Sequence, residues 1–572
     1  MEQKTDRLTS VQVQAFLVLS ILAGLTALFF TFANPSGAGS AKIGAYSVSR
    51  WLLGFGTAAL TAGFAGMLVS DKRTNGAVTS RINNFLCSGN RAYFVFLALI
   101  FGLFLSLWAF KFSWLFIPRN LRPQILWAAV VFLSAAGIIL FTFRGTFKAD
   151  NVVEKYRLFP KLSSLSGKQK ISLCVLCLIG IIYIIVLLPS NISGSRDWDD
   201  FRHYGGDEYV VYPILQNVAN TGNSYSEWLY HHYIHEDYHY GYPFYAVSWL
   251  VLQPIHLFIG ADYIQRIDLT LPTLRTMVSV VPMMLGCLIL VYMTTRFSNP
   301  FVSAAVYLFL LTAPGSLQNN QGFWHPDGLN LFFVCAGLCF LQRDRLRFGR
   351  NFYLCAFFVG LSAATRLFGF FFFLAVFVSL LCGVISKRLD IKKAVVKGML
   401  FILVMFGTIL WSSPFMFRAD ARRNMAAILT EKAGEMSTGY DSDFTDMKND
   451  YRPGWNAWYP AFEDHFTEMF CFFFLLFSLV TACFIGRDRW TFCVIALWWV
   501  VVAVYLIWFI AVKSTQYVLP VMLPLMSCMF ALPRALSVLK NKRVQIGAWF
   551  LSAGIFAVQL VINLIKIAPR FQ

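Results

Sequence analysis

The sequence predicts an all-α polytopic membrane protein, and three observations carry that prediction. Of 572 residues, 58% are hydrophobic and only 13% charged, whereas a soluble domain carries roughly a quarter charged residues. The mean hydropathy is +0.60. Apolar runs of about 20 residues recur along the whole chain, each long enough to cross a bilayer core as a helix. They do not alternate with period two, which argues against a transmembrane β-barrel.

The runs place helices at 11–33, 51–70, 93–116, 125–143, 171–189, 276–295, 300–314, 329–342, 352–365, 368–386, 398–415, 466–486, 490–512, 517–533 and 546–566, about 15 spans. The first run is too long for a signal-peptide core and lacks a small-residue cleavage site, so it is expected to stay as a helix. The net charge of +19 does not point to nucleic acid. The basic residues crowd short inter-helix loops, as the positive-inside rule requires. Arg144, Lys148, Lys155, Arg157, Lys161, Lys168 and Lys170 assign the linker 144–170 to the cytoplasm. Arg343, Arg345, Arg347 and Arg350, then Lys387, Arg388, Lys392, Lys393 and Lys397, then Arg534, Lys540, Lys542 and Arg543 fall on the same side. That count holds only if the short apolar run 244–259, broken by Pro254, does not cross, since a proline removes a backbone donor and kinks a helix. The run is therefore expected as a juxtamembrane or re-entrant helix on the outer face.

The resulting organisation is a four-helix module at 1–143, the basic linker 144–170, a core at 171–415 with a first outer loop at 190–275, a second outer loop at 416–465, and C-terminal helices at 466–572. Twelve cysteines occur. Nearly all lie in apolar runs and none in the acidic loops, which argues against a disulfide framework and thiolate metal sites. No internal repeat is evident, which weakens a transporter built on inverted halves.

The outer stretch 196–243 stands apart. It carries Asp197, Asp199, Asp200, Asp207, Glu208, Glu227, Glu236 and Asp237 with five histidines, and only Arg196 and Arg202 as basic residues. A carboxylate such as Asp207 at the membrane surface can serve as general base toward a hydroxyl, and neighbouring acids can raise its pKa or hold a cation. His235-Glu236-Asp237-Tyr238-His239 matches H-E-x-x-H, which on a helix puts two histidines on one face. Gly241 and Pro243 follow at once and cut that helix short. A divalent cation held by Glu208, His235 and His239, or a metal-free polar groove, remain alternatives. Asp327 opens a span after His325-Pro326, either as a helix cap or because intramembrane acids face a site. Arg366 and Lys513 lie at span ends on the same face, where long cationic side chains reach headgroup level. Asn191-Ile-Ser is a glycosylation sequon on that face.

The run GGDEYVVYPILQNVANTGN, then HYGYPFYAVSWLVLQPIHLFIG, then Arg275 opening a span, resembles the first outer loop of GT-C membrane glycosyltransferases. The branch is that of protein O-mannosyltransferases, aminoarabinose transferases and rhizobial-type lipopolysaccharide glycosyltransferases. WHPDGLNLFFVCAGLCFLQR, GLSAATRLFGFFFFL and KSTQYVLPVMLPL resemble later segments of that family, in the right order, across roughly 171–533. The resemblance implies a GT-C-type core and a polyprenyl-phosphate sugar as donor. The acceptor is a lipid, glycan or protein at the outer or lumenal face. Asp207 would act as base, Glu208 and Asp327 would shape the site, and Arg366 and Lys513 would hold the leaving phosphate. Asp199, Asp200, His325, Tyr242 and Trp455 would line it, with 416–465 as acceptor cover. Some family members use a divalent cation and others do not. A bacterial plasma membrane is favoured over the endoplasmic reticulum, with membrane lipids as surroundings and no nucleic acid partner. The competing classes are a flippase of lipid-linked sugars, a membrane metalloprotease using His235, Glu236 and His239, and a non-catalytic assembly subunit.

Overall fold

The structure, a computed structural model, describes residues 46–74, 76–80, 165–204, 206–219, 231, 240–413, 415, 419–438, 453–486, 488–539 and 541–571, with scattered positions between 14 and 43. The expected spans 93–116 and 125–143, the linker 144–164 and the H-E-x-x-H stretch 235–239 lie outside them. The chain divides into two compact units, 1–153 with 374–394 and 154–373 with 395–572.

In the first unit a two-residue antiparallel pairing of β1 (Lys42–Ile43) with β2 (Tyr46–Ser47) leads into α1 (Val48–Arg73). Buried Asp71 accepts hydrogen bonds from the Thr79 amide at 2.8 Å and the Gln14 side chain at 3.1 Å, fixing the turn that ends α1.

The second unit opens with α2 (Gly167–Ile192), started by a reciprocal cap between Ser166 and Gln169. Then follow α3 (Trp198–Tyr204), α4 (Asp207–Ala219), α5 (Tyr242–Ile259) and the long α6 (Ile267–Thr295), which contains a π-helical turn at Arg275–Val280. Next come α7 (Pro300–Leu311), capped by the Asn299 side chain, α8 (Pro314–Asn320), α9 (Asp327–Asp344) and α10 (Arg350–Thr365). The chain then passes through α11 (Phe372–Ile385), which belongs almost wholly to the first unit, and the second unit resumes within α12 (Ile391–Ser412), followed by α13 (Ala419–Thr438) and α14 (Trp455–His465). It ends with α15 (Met469–Phe484), α16 (Arg489–Phe509), α17 (Thr515–Leu536) and α18 (Lys542–Ile567).

Among the described residues, seven helices are long and apolar enough to cross a membrane, or up to nine if the bent pairs α7–α8 (63°) and α14–α15 (97°) each form one span. These long apolar helices are compatible with a multi-pass integral membrane protein. The apolar stretch of α17 is 94% buried and that of α2 and α18 only 22%. A helix apolar all round belongs at the centre of such a bundle, so α17 is the core and α2 and α18 its rim.

Among the described residues, both expected outer loops contain helices. The first holds α3, α4, α5 and the start of α6. The second holds α13, whose Ala421, Met425 and Ile428 recur at helical spacing and pack with Phe415 and with Tyr242 of α5. At its other end the Met436 carbonyl accepts the Ala511 N–H at 2.6 Å, so α13 bridges the start of α5 and the turn before α17.

The segment expected as a juxtamembrane helix at 244–259 is α5, which by length and apolarity is one of the seven helices able to cross a membrane. Phe244 near its start stacks on Trp324 at 4.8 Å. Tyr212 of α4 lies 6.0 Å from the same indole and donates to the Ile264 carbonyl, beyond the end of α5, at 2.9 Å. Both ends of α5 thus meet one aromatic cluster.

At the opposite end of α9, Asp488 gathers Arg296 at 3.7 Å, Arg345 at 3.8 Å and Arg534, joining the ends of α6, α9, α16 and α17. Two glycines set the approach of backbones at the other end. A Cβ at Gly328 would overlap the Ser279 carbonyl of α6, and one at Gly241 the Ala364 carbonyl of α10. Gly328→Ala is expected to cost about 1–3 kcal/mol through overpacking. It would be read as a lower unfolding midpoint in detergent with helical content retained, and an unchanged midpoint would refute the close approach.

Candidate functional site

The site is built around the turn 321–326 between α8 and α9. Three of its backbone donors are taken by side chains from three other helices. Gly322 N–H donates to Asn191 Oδ1 at the end of α2 at 2.9 Å, Trp324 N–H to Glu208 Oε1 of α4, and His325 N–H to Ser279 Oγ of α6 at 2.9 Å. A buried turn cannot use water for these donors, so fixed side chains must supply the acceptors.

Glu208 is held in turn by Arg275, which donates through Nε at 2.9 Å and through Nη2 at 2.5 Å. Arg275 Nη1 donates to the carbonyls of Asn191 at 3.0 Å and Ser193 at 2.6 Å. The two side chains are 1% and 2% exposed. Burial pushes the Glu208 carboxyl above its ordinary range, against the pull of Arg275 and of the Trp324 N–H. Three donors, two from Arg275 and one from the Trp324 N–H, give Glu208 a structural role. Both its oxygens are engaged, Oε1 by Arg275 Nε and the Trp324 N–H and Oε2 by Arg275 Nη2. Among the described residues no cluster of three or more His, Cys, Asp or Glu side chains could hold a metal ion, and His235 and His239 lie outside them.

Beyond the turn stands a second group. His325 Nδ1 meets Asp327 Oδ2, and its Nε2 lies 2.7 Å from the Tyr240 hydroxyl. Arg366 Nη2 is 3.3 Å from Asp327 Oδ2 and 3.0 Å from His325 Nε2. The Arg366 guanidinium lies over the rings of Tyr240 at 4.9 Å and Tyr517 at 5.8 Å, in cation–π range. Asp327 Oδ1 and Arg366 Nε are buried without a hydrogen-bond partner among the described residues. Burial holds the His325 imidazole below its ordinary value. Asp327 opposes that shift and Arg366 reinforces it. Burial also pushes the Tyr240 phenol up, so it keeps its proton.

Asp207, at the start of α4, is exposed, and its charge acts on both His325 and Tyr240. Asp207 thus lies on the side of the turn where His325 and Tyr240 meet. Lys513 is half-buried in the turn before α17, donating to the Ala511 carbonyl at 3.1 Å, four residues before the site's Tyr517. Asp200 serves α3 locally: its carboxylate accepts the Arg196 N–H at 3.3 Å. Asp199 is exposed on the same helix. Tyr242 is buried with Phe415 and Ala421 under α13. Trp455 packs on Phe462 and Phe472 in the wall of α14 and α15. Asn191 is no glycosylation acceptor: it is 1% exposed, with its amide bonded to Gly322 and Thr276.

Sequence reasoning gave no role to Arg275, Ser279, Tyr240 or Tyr517. Arg275 carried a usable signal, a cation inside an apolar run, which needs a buried partner. No protein-family model and no curated protein matches the chain.

Two outcomes follow. Glu208→Gln leaves the Arg275 charge buried and uncompensated, a loss of about 3–5 kcal/mol. Unfolding in detergent should show it, while Asp207→Asn should unfold like the parent; equal midpoints for the two variants would refute the structural role of Glu208. His325 binds its proton more weakly in the folded than in the unfolded chain, so stability should decline as pH falls through about 6.5. His325→Gln should remove that share of the decline; identical midpoint-versus-pH curves would count against a buried neutral imidazole.

Proposed function

We propose that the chain is a GT-C-type membrane glycosyltransferase. It passes a sugar from a polyprenyl-phosphate donor to a lipid, glycan or protein acceptor, with inversion. One observation carries the reading: an exposed carboxylate, Asp207, acts on the same His325 and Tyr240 that a half-buried guanidinium, Arg366, adjoins, and Arg366 is framed by two tyrosine rings with its Nε unpartnered among the described residues. The basic helix ends gathered on Asp488 lie at the other end of α9, and the positive-inside rule then assigns the site to the outer face. About 15 spans, and a bacterial plasma membrane as the setting, belong to the same proposal.

The chemistry is a single displacement. The acceptor oxygen bonds to the anomeric carbon as the bond from that carbon to the phosphate oxygen breaks. The acceptor proton goes to Asp207, which solvent can reach. The phosphate leaves with the bonding pair on its oxygen, and the donors of Arg366 stabilise the developing charge; Lys513 adds charge from the turn before α17. Asp327 holds Arg366 and His325 in place. Helix α13 covers the acceptor side.

Reconstituted protein given a defined polyprenyl-phosphate sugar should transfer it without sugar nucleotide. Asp207→Asn should lower turnover by about 10²–10⁴-fold with folding intact, and Arg366→Lys should raise the donor KM. An inert parent, or an unimpaired Asp207→Asn, would sink the reading, and movement of the lipid-linked sugar across vesicles without transfer would favour a flippase.

A further inference from the structure

We infer that Tyr240 is a positioning residue that reads a hydroxyl of the donor sugar next to the anomeric carbon. Asp327 and His325 turn the phenol so that its lone pairs face the substrate. The sugar assignment rests on the transfer reading above; the hydrogen-bond chain does not.

The geometry fixes the direction of each proton. A carboxylate oxygen faces His325 Nδ1, so that nitrogen carries the hydrogen. The Tyr240 hydroxyl lies 2.7 Å from Nε2, whereas Arg366 Nη2 lies 3.0 Å from Nε2 and 3.4 Å from Nδ1 and so favours neither nitrogen. With the hydrogen of the neutral ring on Nδ1, Nε2 is the acceptor, and Tyr240 gives it its only hydroxyl hydrogen. The ring cannot turn to reverse these roles. Its backbone is tied to Ser279 in both directions, at 2.9 and 3.2 Å. One face lies against Phe323 at 4.7 Å and 13°, and the Tyr240 ring meets its edge at 4.8 Å. The groups bearing on the imidazole are Asp327, Arg366 and Asp207 by their charge and Tyr240 by its hydroxyl.

With its hydrogen committed inward, the Tyr240 oxygen can only accept on its open side. It requires a donor from the substrate. Arg366, the group that would take the phosphate, lies over the Tyr240 ring at 4.9 Å. A sugar attached to that phosphate brings its nearest hydroxyl, on the carbon beside the anomeric centre, to this oxygen. A site with a committed acceptor discriminates against a substrate lacking the matching hydroxyl, because the buried lone pair is then left unpaired.

The test is a double-mutant cycle between protein and donor, using full-length reconstituted protein. The donors are polyprenyl-phosphate mannose or glucose, whichever the parent transfers, and the 2-deoxy donor common to both. Tyr240→Phe should lower kcat/KM by about 10-fold or more with the hydroxylated donor, and the deoxy donor should lower it similarly in the parent. The variant should lose little further with the deoxy donor. His325→Gln, whose amide can accept from Tyr240 and donate to Asp327, should retain more activity than His325→Leu. Additive losses, or a His325→Leu variant as active as His325→Gln, would overturn the inference. In parallel, ¹⁵N-histidine NMR of the parent, with the His325 signal identified by its loss in His325→Gln, should show the neutral Nδ1–H tautomer from pH 8 to about 6. An Nε2–H tautomer would overturn the chain. If the parent transfers neither sugar, the transfer reading and the sugar assignment fall together, while the NMR result still decides the chain.

Discussion

The buried pair of Glu208 and Arg275 is the constraint on which the rest of the second unit depends. A carboxylate and a guanidinium removed from water are tolerated only when nearly every donor and acceptor is used. Here Arg275 spends its donors on Glu208 and on two carbonyls at the end of α2, and Glu208 accepts from the turn that opens α9. Four segments are thereby joined at one point. The π-helical turn at Arg275 belongs to the same arrangement. Such local irregularities in an α-helix accompany side chains placed for a specific purpose, and this one directs Arg275 at the start of α4.

Placement of the site follows from that junction. Because Gly322, Trp324 and His325 each lose a backbone donor to a different helix, the turn has little freedom. His325 and Asp327 inherit its rigidity. On the other flank, Gly241 lies flush against the end of α10, with its N–H 3.3 Å from the Thr365 carbonyl. That contact sets Tyr240 beside Arg366. Preorganised groups of this kind need not reorganise when charge develops between them, which is where electrostatic stabilisation is strongest.

Much of the helical plan was legible in the sequence, because long apolar runs have no other stable state in lipid. The polar residues at span ends, Asp327 and Arg366, could be assigned to one rim from loop charge alone, and the structure brings them within 3.3 Å. The charge count made 244–259 a juxtamembrane helix, yet by length and composition it ranks among the seven that could cross. Pairings between distant segments were not legible. The acidic pair Asp207 and Glu208 reads as two equivalent carboxylates, yet a single step along a helix turns one to water and the other into the protein. Asn191 reads as an outer-face sequon because a three-residue motif says nothing about burial. Helix α13 is masked by Arg422, Arg423, Lys432 and Glu435, although Ala421, Met425 and Ile428 carry the seam that seats it.

The three arginines on Asp488 give the bundle an unequal pair of ends. At the far side of α9, about 27 Å from Asp327 at 1.5 Å per residue, four helix termini are clasped by one negative charge. Without it, like charges would crowd together and push those termini apart. The far end is therefore tied by a single carboxylate, and loss of Asp488 would release four helix termini at once.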